Sequence, residues 1–530
     1  MTTDIRNARA LLTALHRAAV EGADPFARTR DAVAAWWREH EQTHASSGAR
    51  APIRIFAMGK AAVAMTSGAV RALHEAGLDP QHGVVVAYAL PSDRPDNLPP
   101  EFVLLAGDHP IPGPASLLAA DAIDSAILEL QPGDVAMVLL SGGTTALTAA
   151  PVAALSQAVG DAERAQAHLA NLADTLLESG LAIHEMNAIR RRMLRYGAGR
   201  LAVALADRGA SVIPVFAISD VIGDDPAVIG SGPCSPDPLD EPGFLALLDA
   251  HGVRAWLQRD TAAFLGVAGD GRPPLVPASS HPAFARVRYE VVACNADAVK
   301  AMTAAARRAG ITHVLPQSVP LEGEAAPLGD WLARHATARA RALPADESVL
   351  LAFGGEPVVH LRAALQHAWD DGASDEAGDG HARAALARLP LDDATHRQLG
   401  LADPERQIDP ERGEERIDEP LRGGRMQALA LAAAFALEEA AGADDWAPWR
   451  ITILAAGTDG RDGPTDAAGA IVDAATPAAA RRSRRSPERD LATGRSWFPL
   501  DAADALLRTG PTGTNVMDVV AVLIAPSRQY

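Results

Sequence analysis

Three carboxylates fall within eight residues at Asp459, Asp462 and Asp466, set among Gly457, Gly460 and Gly463. Clustered aspartates suit a hard cation such as Mg2+, and glycines let the backbone approach an anion closely. The apolar stretch Arg450–Ala456 precedes them and reads as a strand. The cluster then stands at the carboxyl end of a strand, the edge where open α/β sheets bind ligands. One Asp-Gly pair would be a surface turn; this density favours a metal site at 459, 462 and 466.

Other strand ends carry reactive residues too. Gly59-Lys60 follows Ile53–Met58, which reads as a strand. A lysine there can reach a bound phosphate beside the free N–H groups of the next helix. Ser141-Gly142-Gly143-Thr144-Thr145 follows Asp134–Leu140 and offers small residues, N–H groups and hydroxyls as a phosphate cradle. Neither segment is a P-loop, since G-x-x-x-x-G-K-[ST] is not matched. Asp108, Asp220 and Glu356 stand just beyond three further apolar runs. Carboxylates so placed can hold a metal or accept a substrate proton, although each alone reads as a helix cap or turn. Asn187 and Arg190 lie three apart on an expected helix and can bind a small carboxylate together. Arg425 follows Gly423-Gly424 where a helix begins, a placement that suits a charge clamp on a transferring phosphoryl group.

Two motif matches carry little. His40-Glu41-Gln42-Thr43-His44 fits the H-E-x-x-H pattern of zinc proteases but ends a helix and has no evident third ligand. Gly197-Ala198-Gly199-Arg200-Leu201-Ala202 fits G-x-G-x-x-A but interrupts a helical pattern instead of following a strand.

Strands and helices alternate from Ile53 to Ser219, which argues for a mostly parallel sheet covered by helices on both faces. A loop-rich break spans about 236–285. A second α/β run opens at Arg288–Cys294 and continues through strands near Ser348–Phe353, Arg450–Ala456 and Val519–Ile524. Ala467–Ala480 reads as a helix. Residues 366–420 are rich in Asp, Glu, Arg and Gly, and read as an insertion. The domains are thus 1–245 and 285–530.

The 530 residues are 48% hydrophobic, enough for large cores. A net charge of −19 argues against nucleic acid, whose phosphates need a basic surface. Two cysteines make no disulfide framework, and no signal peptide or membrane-length apolar run is visible. The expectation is a cytoplasmic protein with a small-molecule partner and no membrane contact, with a homodimer left open.

In their order along the chain, these segments resemble the glycerate 2-kinases of the MOFRL (DUF4147) type. The resemblance rests on Met58-Gly-Lys-Ala-Ala62, Gly107-Asp-His-Pro-Ile-Pro112, Leu140-Ser-Gly-Gly143, Ile218-Ser-Asp220 and Ser231-Gly-Pro233. Gly354-Gly-Glu356, Gly423-Gly-Arg425, Ala456–Asp473 and Thr512-Gly-Thr-Asn515 extend it. It implies two α/β domains facing a cleft, and phosphorylation of D-glycerate at its 2-hydroxyl with ATP and Mg2+. It implies functional roles for Lys60 and Arg425. Asp220, Glu356 and Asp459 would share metal binding and proton acceptance, Ser141–Thr145 would hold phosphates, and Asp108, Asn187 and Arg190 the substrate. A hydroxypyruvate reductase would need a dinucleotide fingerprint after a strand. A binding homologue without turnover is the other alternative, because Met426 and Ala428 stand where Asn and Glu are usual.

Overall fold

In a computed structural model, the structure describes residues 8–44, 51–80, 82–88, 94–109, 111–178, 183–253, 276–344, 347–359, 421–442 and 449–526, with single positions 90 and 181. The 366–420 insertion lies outside the described residues. The chain divides into two compact units.

One unit comprises Ala23–Cys294 and Gly513–Val516. Its sheet has six strands: β1 (Ile53–Met58), β2 (His82–Ala87), β3 (Val103–Ala106), β4 (Val135–Leu140), β5 (Ile213–Ile218) and β6 (Val287–Ala293). They lie in the order β3-β2-β1-β4-β5-β6, and every pairing is parallel. Every residue of β4 and β5 is buried, which explains their unbroken apolar sequences: with helices on both faces, no position of a central strand meets water. Helices Pro25–His44, Ala62–Glu75, Pro114–Leu128 and Arg200–Asp207 pack around this sheet. A smaller apolar cluster gathers Leu155, Leu169, Leu176, Ile189 and Phe244 from the surrounding helices.

The second unit comprises Met1–Gly22, Asn295–Thr512 and Met517–Tyr530. Its strands are β7 (His313–Pro316), β8 (Val349–Gly355), β9 (Trp449–Gly457), β10 (Gly469–Val472), β11 (Leu506–Leu507) and β12 (Asp518–Pro526), in the order β11-β10-β9-β12-β8-β7. Only β7 and β8 pair in parallel; the other four pairings are antiparallel. The helix Arg425–Ala441 is alanine-rich and buried around most of its circumference, as its nearly all-apolar sequence requires. It packs tightly on the helix Ala325–Ala340, where a side chain on Gly329 would strike the Leu429 carbonyl.

Two elements differ from the sequence reading. Arg288–Cys294 does not open the second unit: Val287–Ala293 is β6, the edge strand of the first sheet beside β5. The Ala467–Ala480 run is not one helix, because Gly469–Val472 forms β10 against β9 and only Thr476–Arg482 is helical. Alanine tolerates either state, and pairing with β9 decides between them.

Candidate functional sites in the two units

The strand order of the first sheet reverses between β1 and β4. In doubly wound sheets the crevice outside the carboxyl ends of the strands at such a point is the ligand site. Lys60 leaves β1 there. It is exposed, and its ammonium has no side-chain bond or ion pair among the described residues. Backbone bonds tie its loop to the one after β4. The Lys60 N–H donates to the Gly142 carbonyl (2.9 Å), the Ala61 N–H to Ser141 Oγ (3.1 Å), and the Ser141 N–H to the Met58 carbonyl (3.0 Å). Gly59 has φ +123°, and a side chain there would collide with Ser141.

The Ser141–Thr145 loop divides its hydroxyls between two tasks. Ser141 accepts from the β1 loop, and Thr144 Oγ1 donates inward to the carbonyls of Met58 (2.9 Å) and Ser141 (2.7 Å). Those two groups hold the loop. Thr145 is half-buried, and its hydroxyl pairs with Ser231 Oγ at 2.8 Å. Gly142 must be glycine because the Asp220 carboxylate lies against it. Asp220 also accepts from Asn515 Nδ2 at 3.1 Å.

His109, which the sequence reading passed over for its neighbour, belongs to this group. A Cβ on Gly143 would lie 3.2 Å from both His109 Cδ2 and Lys60 Cγ. Burial, with the Lys60 charge adding to it, pushes the imidazole down to about 4, so it is neutral at pH 7. Asp108, expected to bind substrate, instead caps a helix. Its Oδ2 accepts from the N–H groups of Ala115 (2.8 Å) and Ser116 (3.2 Å), and its own N–H donates to Ser116 Oγ (3.1 Å). That reciprocal cap fixes the backbone on which His109 is presented.

Asn187 and Arg190 share the helix Ile183–Met193, and both are half-buried. The next two arginines are paired: Arg192 lies 3.3 Å from Asp237 and 2.8 Å from Glu241, and Arg191 lies 3.6 Å from Asp237. Arg190 has no ion pair or hydrogen bond among the described residues, and burial lowers its pKa. It lines a small cavity with Thr145, Pro112, Ala149, Leu169 and Leu194. A desolvated guanidinium without a counter-ion is a place for an anion.

In the second unit the chemistry gathers at one sheet edge, where β8 and β9 end and β12 between them begins. Arg425, the first residue of its helix, clamps Asp518 with Nε at 2.6 Å and Nη2 at 3.3 Å, and reaches Glu356 with Nη1 at 3.0 Å. Burial opposes its charge, but Asp518 and Glu356 more than compensate and raise its pKa. Asp518 itself is pushed up to about 6 by burial, with Arg425 opposing and Glu356 and Asp459 adding to the rise. The sequence reading missed Asp518 because a lone acid before an apolar strand resembles an ordinary strand start.

Asp462 is buried against Gly424, and its oxygens accept from the N–H groups of Met426 (3.2 Å) and Gln427 (2.8 Å). It therefore caps the Arg425–Ala441 helix from a distant segment. Burial, then Asp518, push it up to about 7 against those N–H bonds. Asp466 faces solvent and is held by Arg508 (2.9 Å), Arg422 (3.2 Å) and the Trp497 indole N–H (2.8 Å). Asp459 accepts from the Arg461 N–H at 3.0 Å. The three aspartates thus do separate work and do not converge as a Mg2+ donor set. Among the described residues, no group of three or more His, Cys, Asp or Glu side chains is arranged to hold a metal ion. Below this edge, buried His16 bonds the Gly457 carbonyl at 3.0 Å, and burial lowers its pKa.

Comparison with known proteins adds independent information. Residues 11–266 match the domain of unknown function DUF4147, and residues 413–518 match the MOFRL family. A "Putative hydroxypyruvate reductase" of Agrobacterium vitis is 29% identical over 480 residues, 89% of this chain and 86% of that protein. The glycerate 2-kinase of Pyrococcus horikoshii is 28% identical over 522 residues, 96% of each chain. The crystal structure of a glycerate kinase from Thermotoga maritima superposes with a TM-score of 0.65 at 23% identity, covering 97% of this chain and 99% of that one. It has the same fold.

Proposed function

From the matches of residues 11–266 to DUF4147 and 413–518 to MOFRL, we propose that the chain is a glycerate 2-kinase of the MOFRL type. It would transfer the γ-phosphoryl group of ATP to the 2-hydroxyl of D-glycerate. Relatives named for glycerate kinase activity in bacteria, archaea and mammals support the reading. The observation that carries it is Lys60, without a side-chain partner among the described residues, at the point where the strand order of a doubly wound sheet reverses, beside a loop of small and hydroxyl residues.

Phosphoryl transfer depends on positioning and charge neutralisation more than on covalent chemistry. Lys60 supplies a cation to the phosphate oxygens, with the Ser141–Thr145 loop beside it. Arg190 and Asn187 hold the carboxylate of the acid. Asp220 accepts the 2-hydroxyl proton as that oxygen attacks the γ-phosphorus and ADP leaves. Arg425 orders Asp518 and Glu356. Because Asp459, Asp462 and Asp466 make no donor set, no step is assigned to a resident metal, and Mg2+ arrives with the phosphates of ATP as substrate. A cytoplasmic location completes the reading.

The reductase alternative is weaker. β1 is followed by Gly59-Lys60-Ala61-Ala62 instead of a glycine fingerprint, and Gly197–Gly199 follows a helix. Release of ADP in a coupled assay with MgATP and D-glycerate tests the proposal. Oxidation of NADH or NADPH by hydroxypyruvate, with no ADP formed, would replace it with the reductase.

A further inference from the structure

The segment Gly230-Ser231-Gly232 holds three consecutive residues in left-handed conformation, with φ of +58°, +67° and +62°. Glycine accepts this freely; serine does not. Ala198, at φ +53°, is a second non-glycine residue in that region, and its N–H donates to the Ser231 carbonyl at 3.0 Å. Two strained residues bonded to each other persist only where the surroundings over-determine them, and such strain clusters at functional sites.

The Ser231 side chain shows what the strain secures. It is buried, and among the described residues its hydroxyl meets one partner, Thr145 Oγ1 at 2.8 Å. Either hydroxyl can donate across the pair; because a buried hydroxyl hydrogen left unpaired is costly and Ser231 is the more buried of the two, the arrangement that satisfies it has Ser231 donating to Thr145. The Thr145 hydrogen then has no acceptor among the described residues, beside unpaired Arg190 and in the loop next to Lys60.

We propose that Ser231 is a positioning residue that, through this hydroxyl pair, makes Thr145 a donor to an anionic oxygen of the bound ligand. The inference rests on the kinase reading for the identity of that ligand. The oxygen belongs to a phosphate of ATP or to the carboxylate of glycerate, and separate affinities distinguish the two.

The test compares S231G, S231A, T145A and S231A/T145A with the wild type. Calorimetric Kd values for ATP, D-glycerate and inorganic phosphate are read beside steady-state KM and kcat. S231G removes both the hydroxyl and the strain, so its Tm should equal or exceed the wild-type value while one ligand's Kd and KM rise roughly tenfold, the size of one hydrogen bond to a charged group. S231A should give the same rise. In the T145A background S231A should add nothing, because Ser231 acts through Thr145. Unchanged affinity for all three ligands in S231G overturns the proposal, as does an undiminished S231A effect in the T145A background. Wild type that binds none of the three overturns it as well. Wild type that binds them in a Ser231-dependent way but releases no ADP leaves the proposal standing and removes the kinase reading instead.

Discussion

Lys60 and Arg425 stand at the strand ends of two different sheets, and their surroundings are opposite in character. Lys60 is exposed, has no side-chain partner among the described residues, and is flanked by a histidine that burial keeps neutral. Arg425 is half-buried and already neutralised by Asp518 and Glu356, beside carboxylates whose pKa values are raised. An unpaired cation is available to a ligand at little cost. A paired one must first give up bonds, and removing it strands buried charge. Two residues that the resemblance treats alike are thus expected to fail in different ways when replaced.

The largest effect should come from K60A. Loss of a cation that meets developing phosphate charge should lower kcat/KM about 100-fold or more, roughly 3 kcal/mol of transition-state stabilisation, with Tm unchanged. A K60A enzyme with near-normal turnover would break the comparison at its first term. R425A should show the reverse balance. Asp518 would be left buried with Glu356 and Asp459 nearby, and unfolding free energy should fall by about 2 kcal/mol, read by urea titration. An R425A protein that is inactive yet as stable as wild type would make Arg425 a ligand-facing cation after all.

The two regions should also answer pH in opposite directions. Asp462 has a folded pKa near 7 against an unfolded value of about 4, so the folded state holds the extra proton between them. Its contribution to stability therefore falls as pH rises from about 4 to 7. Relative to wild type, D462N should gain stability across that window despite losing one accepted N–H bond, whereas a constant offset would mean that the helix cap alone matters. His109 has a folded value near 4 against about 6.5 unfolded, so the unfolded state binds the extra proton. The stability it contributes is present above about 6.5 and lost as pH falls toward 4. H109Q should therefore gain on wild type as pH drops through that range. A flat difference would place His109 in solvent, away from Lys60.

The Lys60 region was largely legible in the sequence. β4 and β5 are unbroken apolar runs, β1 is interrupted only by Arg54, and the loops after them carry the lysine, the small hydroxyl residues and Asp220. His109 was hidden by adjacent Asp108, whose capping part only the three-dimensional position of Ser116 reveals. The Arg425 region was less legible. A strand buried on both faces reads the same whether its neighbour runs parallel or antiparallel, so the apolar sequence of β12 did not disclose its direction. That direction brings Asp518, at its first residue, between the ends of β8 and β9. The aspartates at 459, 462 and 466 are close in sequence, yet one caps a helix, one faces solvent among arginines and one closes a turn. Sequence spacing could not separate these tasks, because the partners come from elsewhere in the chain.

The most direct test is the product itself. The purified protein, incubated with MgATP and D-glycerate, should yield ADP and 2-phosphoglycerate in equal amounts, with the phosphorus on the 2-oxygen identified by phosphorus NMR. Phosphate on the 3-oxygen, or no ADP under conditions where hydroxypyruvate oxidises NADH or NADPH, would contradict the account.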